Sequence, residues 1–241
     1  MGEFTTEELF DAIDRAVAEL LARTRTDEPP VDALAIVKEA YRYTVTILSE
    51  DDEEPQYGDR PKPRPRPREL QLKDTQSDES RQTAAAKAVA REMLPNILKT
   101  LGIVPGTEQK SATNQLVGLI VPRLMLPTRW FDKASRKAGG DVFRLKEIYE
   151  TATYELIALR QLDFEEPCVI AVVDDGIVAT RRSNAMQATK KLTAAEALCV
   201  EKVTSEEEPV TVRKDDWTAR GWPIPSGPFR RIILRAVPDE V

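Results

Sequence analysis

The chain has 241 residues, 41% of them hydrophobic and 32% charged, with a formal charge of −6 and no histidine. That length can bury one large core or two small ones, and the acidic balance argues against a generally nucleic-acid-binding surface. The missing histidine excludes Ser/His and Cys/His nucleophilic catalysis and any imidazole metal ligand.

The opening residues, Met1-Gly2-Glu3-Phe4-Thr5-Thr6-Glu7-Glu8, are acidic and lack the basic start and apolar centre of a signal peptide. No apolar run approaches the roughly 20 residues that span a bilayer. A cytoplasmic protein without a membrane partner is expected. Residues 5–24 predict an amphipathic helix, with Leu9, Phe10, Ile13, Val17, Leu20 and Leu21 at helical spacing. A second helix starts at Val31-Asp32, and the β-branched run Tyr43–Leu48 predicts a strand.

Acidic residues 50–54 precede a low-complexity stretch in which proline alternates with Arg60, Lys62, Arg64, Arg66 and Arg68. Alternating prolines favour polyproline II and forbid helix or central strand. Five cations can hold phosphates by counterion release, but no aromatic residue interleaves them. A linker is the favoured reading, and a nucleic-acid partner is not expected.

Residues 69–73 predict a short strand. A helix over 77–101 follows, bent at Pro95 and closed by Gly102, then an apolar helix over 108–126 that Pro122 should disturb. Helices over 128–137 and 142–150 flank Gly139-Gly140, and another spans 151–162. Strands 168–173 and 177–182 meet at Asp175-Gly176, a type I′ hairpin signal. Thr193-Ala-Ala-Glu196 is a capping box, and 210–212 and 230–236 predict further strands with Trp217 and Trp222 packed between them. Cys168 and Cys199 match no disulfide framework or metal pair. The run Arg181-Arg182-Ser183-Asn184 reads as a surface turn, with a grip on a carboxylate or phosphate as its functional alternative.

The segment Arg81–Arg91, with its alanine run 84–86, is followed by Asn114 and by Leu124-Met125-Leu126-Pro127 before Trp130-Phe131. This layout resembles the ImmA/IrrE family of zinc metallopeptidases. There an arginine and an alanine-rich run enter H-E-x-x-H on a helix, and a second helix supplies a glutamate ligand before an L-L-M-P-like stretch and an aromatic residue. The resemblance covers most of residues 31–182. It places the family's motif on Lys87, Ala88 and Arg91, and its third ligand on Asn114.

Zinc takes lone pairs from imidazole, thiolate or carboxylate, whereas lysine and arginine are donors only. Ala88 cannot act as general base. A competing register sets Glu92 on the family's glutamate, and Arg91 and Pro95 then fall on its histidines. Zinc is therefore expected only in intact members and no cofactor is expected here.

On one reading the charges of Lys87 and Arg91 replace the two of zinc, giving with Asn114 an anion or partner groove; on the other both side chains point into water. The resemblance implies a protein or peptide partner, a transcriptional regulator included. Two functions stay open: a catalytically inactive homologue acting as a protein-binding or regulatory module, or a metallopeptidase with a rearranged, non-histidine metal site using Glu92.

The expected fold class is α+β. An N-terminal helix (1–30) precedes a mainly helical core with a small sheet (31–162), which carries a disordered Pro/Arg linker at about 50–68. A β-rich subdomain (163–241) completes the chain.

Overall fold

In the computed structural model, residues 5–49, 68–104, 110–225 and 229–239 are described. The linker expected at about 50–68 lies, apart from Arg68, outside them. The chain divides into two compact units, Met1–Trp130 with Tyr149–Ala152, and Phe131–Ile148 with Thr153–Val241.

In the first unit, α1 (Thr6–Arg23) begins with a capping box. The Thr5 hydroxyl accepts from the Glu8 N–H at 3.2 Å, and the Glu8 carboxylate accepts from the Thr5 N–H at 2.7 Å. Ile13, Val17, Leu20 and Leu21 form its buried stripe. The short α2 (Ala33–Glu39) is capped twice, by Asp32 and by Gln82, whose Oε1 accepts from the Ala33 N–H at 2.8 Å while its Nε2 donates to Asp32 at 2.9 Å. Strands β1 (Thr44–Leu48) and β2 (Glu69–Lys73) pair in parallel from Thr44↔Glu69 to Leu48↔Lys73.

Ser77 caps α3 (Asp78–Thr100), which packs against α2 and against α4 (Lys110–Met125); α1 packs on both long helices. Pro122 does not end α4, and the Leu126 N–H still donates to the Pro122 carbonyl at 2.9 Å. Burial of Ile120, Val121, Leu124 and Met125 holds this turn by tertiary packing. Arg123 is buried with its guanidinium 3.8 Å above the Phe10 ring and 3.7 Å from the Asp14 carboxylate.

Helix α5 (Thr128–Ala138) belongs from Phe131 onward to the second unit, followed by α6 (Val142–Ile148), α7 (Tyr154–Arg160) and a 3-10 turn, Gln161–Asp163. Then come β3 (Val169–Asp174), β4 (Ile177–Ser183), α8 (Ala194–Glu206), β5 (Val210–Lys214), β6 (Trp217–Ile224) and β7 (Arg231–Pro238). The strands form one antiparallel sheet in the order β4-β3-β7-β6-β5.

The connection from β4 to β5 joins the two edges, so α8 lies across one face of the sheet. Its Ala195, Cys199 and Val203 pack with Val169, Ala171, Ala219 and Leu234. The alternate residues Ile170, Val172, Trp222 and Ile233 are buried as well, and α7 packs against β3 and β7. Helices thus cover both faces of the central strands, while the edge strands β4 and β5 stay partly exposed.

Residues 217–224 correct the sequence reading, which left Trp217 and Trp222 between strands. They form β6, paired with both β5 and β7. Pro223 obscured it, yet β5 pairs only as far as Gly221, so the proline falls where the strand has one neighbour. Asp215 and Asp216, both at positive φ, make the β5–β6 turn without a glycine. The expected turn at Asp175-Gly176 also has positive φ at both residues. The fold class is α+β, and among the described residues no helix is long and apolar enough to cross a membrane.

Candidate functional site

Helix α3 carries three of the four residues that the sequence pattern singles out. Its inner face buries Ala85, Ala86, Val89 and Ala90. Ala88 is also buried, at 6% exposure, whereas Lys87 and Arg91, one turn apart, are exposed, as is Asn114 near the start of α4. The spacing of four puts the two cations on one side of α3 in water.

Glu92, the glutamate of the competing register, has a partner on each carboxylate oxygen. One carboxylate oxygen accepts from the Tyr43 hydroxyl at 2.9 Å, and the other pairs with the Arg68 guanidinium at 2.9 Å. Burial raises the Tyr43 phenol above its ordinary value, Glu92 raises it further, and the charges of Arg68 and Arg91 oppose the shift. Nearby Tyr41, with Arg23 5.5 Å from its ring centre, is raised mainly by burial. Both phenols therefore stay protonated at neutral pH, and the Tyr43 hydroxyl acts as a donor to Glu92. Tyr41, Arg23, Met93 and Asn96 line a cleft of about 240 Å³ between α1 and α3.

These residues do not fit zinc. Lys87 and Arg91 offer no lone pair, Ala88 offers no proton acceptor, and Glu92 is paired with the Arg68 cation, which repels a metal ion. Among the described residues no three Asp, Glu or Cys side chains converge as a metal-holding group. Both cysteines are free and buried, and burial pushes the Cys199 thiol up to about 11.

Two participants escaped the sequence reading. Tyr43 stood only as the start of a strand and Arg68 only as the end of a basic run. Their meeting at Glu92 depends on the α2–β1 junction and on the parallel β1–β2 pairing, and no local signal announces it.

Arg181 corrects a further expectation. It is no surface-turn residue, because its side chain is 4% exposed in β4 and forks onto Glu196, itself fully buried, with contacts of 3.0 Å. The carboxylate that it grips is the chain's own.

No family model matches the chain, and no curated protein matches it. A solved structure described as a Mycobacterium tuberculosis transcriptional regulator does. It is 15% identical, with a TM-score of 0.59 over 95% of this chain and 79% of that chain. The two chains share a fold.

Proposed function

We propose that the chain is a catalytically inert, ImmA/IrrE-like binding module that holds a protein or peptide partner against the α3 surface marked by Lys87, Arg91 and Asn114. One observation carries this reading. Where the family resemblance expects metal ligands and a general base, this chain has two exposed cations, a buried alanine and an exposed amide. Two cations one turn apart, free of the core, suit an acidic segment of a partner.

The fold shared with a chain named as a transcriptional regulator supports a regulatory setting, and the cytoplasm is the proposed compartment. The alternative, a metallopeptidase with a rearranged site, would rest on Glu92, whose ion pair with Arg68 sets a cation where a metal would have to approach.

Metal analysis of protein expressed with added zinc tests the inert reading: no bound zinc is expected, and stoichiometric zinc removed by a chelator would defeat it. The binding reading is tested on an array of acidic peptides. Lys87→Glu with Arg91→Glu should abolish retention while the thermal midpoint stays where it was, since exposed substitutions cost about 0.5 kcal/mol or less. Retention unaffected by both charge reversals would remove the groove from consideration.

A further inference from the structure

A groove of about 570 Å³ lies within the second unit, where the end of α8 meets the last residues of β6 and the first of β7. Strand β5 pairs only as far as Gly221, so it leaves Pro223 and Ile224 uncovered on that side. Val203, Ile224 and Ile232 in the wall are at most 7% exposed. Phe143 is half-buried beside them, and Pro225 and Phe229 stay exposed. Apolar surface gathered in one concavity marks a binding surface, and the volume falls within the range of small-molecule sites.

The charge around this groove is negative. Arg230 pairs with Glu207 at 3.1 Å, while Arg231 is shared between Asp174 at 2.7 Å and Glu155 at 3.4 Å. Glu208 stands on the same wall and has no ion-pair partner among the described residues. Two arginines are thus set against four carboxylates, Glu155, Asp174, Glu207 and Glu208. Helix α8 adds to the imbalance. It ends at Glu206 with no basic residue in its last turn, so none of its own side chains there balances the negative end of its dipole.

The apolar wall calls for a hydrocarbon body, and the surplus of carboxylates calls for a positive charge. The rings of Phe143 and Phe229 favour the same sign, because an aromatic face attracts a cation. A neutral occupant would take water from Glu208 and return no charge to it; an anion would meet repulsion.

We propose that this groove binds a hydrophobic organic cation, a compact aromatic or branched hydrocarbon carrying a single ammonium. The body lies against Ile224, Ile232 and Phe143, and the ammonium lies at Glu208. This does not rest on the α3 groove, and either reading can fail alone.

Saturation-transfer NMR and calorimetric titration of the full chain test it. The probes are three hydrocarbon bodies (benzyl, 1-naphthylmethyl and 1-adamantylmethyl), each as its ammonium, its alcohol and its carboxylate at pH 7. At least one ammonium should bind saturably, with its alcohol and carboxylate about tenfold weaker or worse. Added salt should weaken the ammonium alone. Glu208→Gln should weaken that ammonium about threefold and leave its alcohol unchanged, and Phe229→Ala should weaken the ammonium about fivefold. Both positions are exposed, so the fold should survive either change. A loss in either variant supports the site. Absence of saturable binding by every probe would overturn the proposal. So would an alcohol or carboxylate that binds as tightly as its ammonium, or ammonium binding indifferent to both substitutions.

Discussion

At the scale of single residues, the Arg181–Glu196 pair shows how burial changes the meaning of a charge. Arg181 Nε and Nη2 fork onto the carboxylate, Nη1 donates to the Thr189 carbonyl at 3.0 Å, and Glu196 Oε2 also accepts from the Thr193 N–H at 2.6 Å. With every polar atom satisfied, the desolvation cost of the two ions is offset; with one partner removed it is not. Arg181→Met should therefore destabilise the chain by about 3–5 kcal/mol in urea unfolding. Arg181→Met with Glu196→Leu should cost less than Arg181→Met alone, and a double-mutant cycle gives the coupling. The residue types of this pair were plain in the sequence. Its burial was not, because strand alternation turns Arg181 inward only once β4 is placed at the edge of the sheet.

At the scale of elements, the best-read segments are those whose ends are chemically marked. Thr5, Ser77, Thr153 and Thr193 each accept from a backbone N–H at the start of their helix, and the box at Thr193–Glu196 was legible from spacing alone. Thr193→Ala should lower stability by about 1 kcal/mol, read from thermal unfolding. The strand that escaped, β6, combines Gly221 and Pro223, both poor strand formers. Gly221 is present for a packing reason: an added Cβ would meet Val203 Cγ2 at 2.8 Å and Leu234 Cδ2 at 2.9 Å, where α8 crosses the sheet. Gly221→Ala should cost about 1–3 kcal/mol by overpacking, measured by denaturant titration. A variant as stable as the parent would show that α8 can move away from the sheet.

At the scale of the whole molecule, charge and topology decide the response to acid and the placing of the site. Arg231 forks onto Asp174 at 2.7 and 2.8 Å and reaches Glu155 at 3.4 Å, so that β7 is tied to the end of β3 and to α7. Hydrogen bonding from Arg231 holds the Asp174 carboxyl below its ordinary value against a weaker opposing effect of burial. A depressed folded value means that the unfolded chain binds the proton first. The stabilisation is complete above the usual carboxylate range, about pH 4, and is lost as pH falls toward the folded value. The stability difference between the parent and Asp174→Asn, measured from pH 7 downward, should hold steady and then shrink below about pH 4. A difference that widens in acid would contradict this sign.

The sequence by itself determined the α+β class, most helices and strands, the hairpin at Asp175-Gly176, and the lack of zinc-ligand side chains at Lys87, Ala88 and Arg91. These follow from periodicity, capping chemistry and side-chain donor inventory, all of which act within a few residues. Tertiary structure alone decided that Tyr43 and Arg68 close on Glu92 and that Arg181 spends its charge on Glu196. Each of those contacts joins atoms brought together by sheet order or helix packing. Such proximity leaves no periodic trace along the chain.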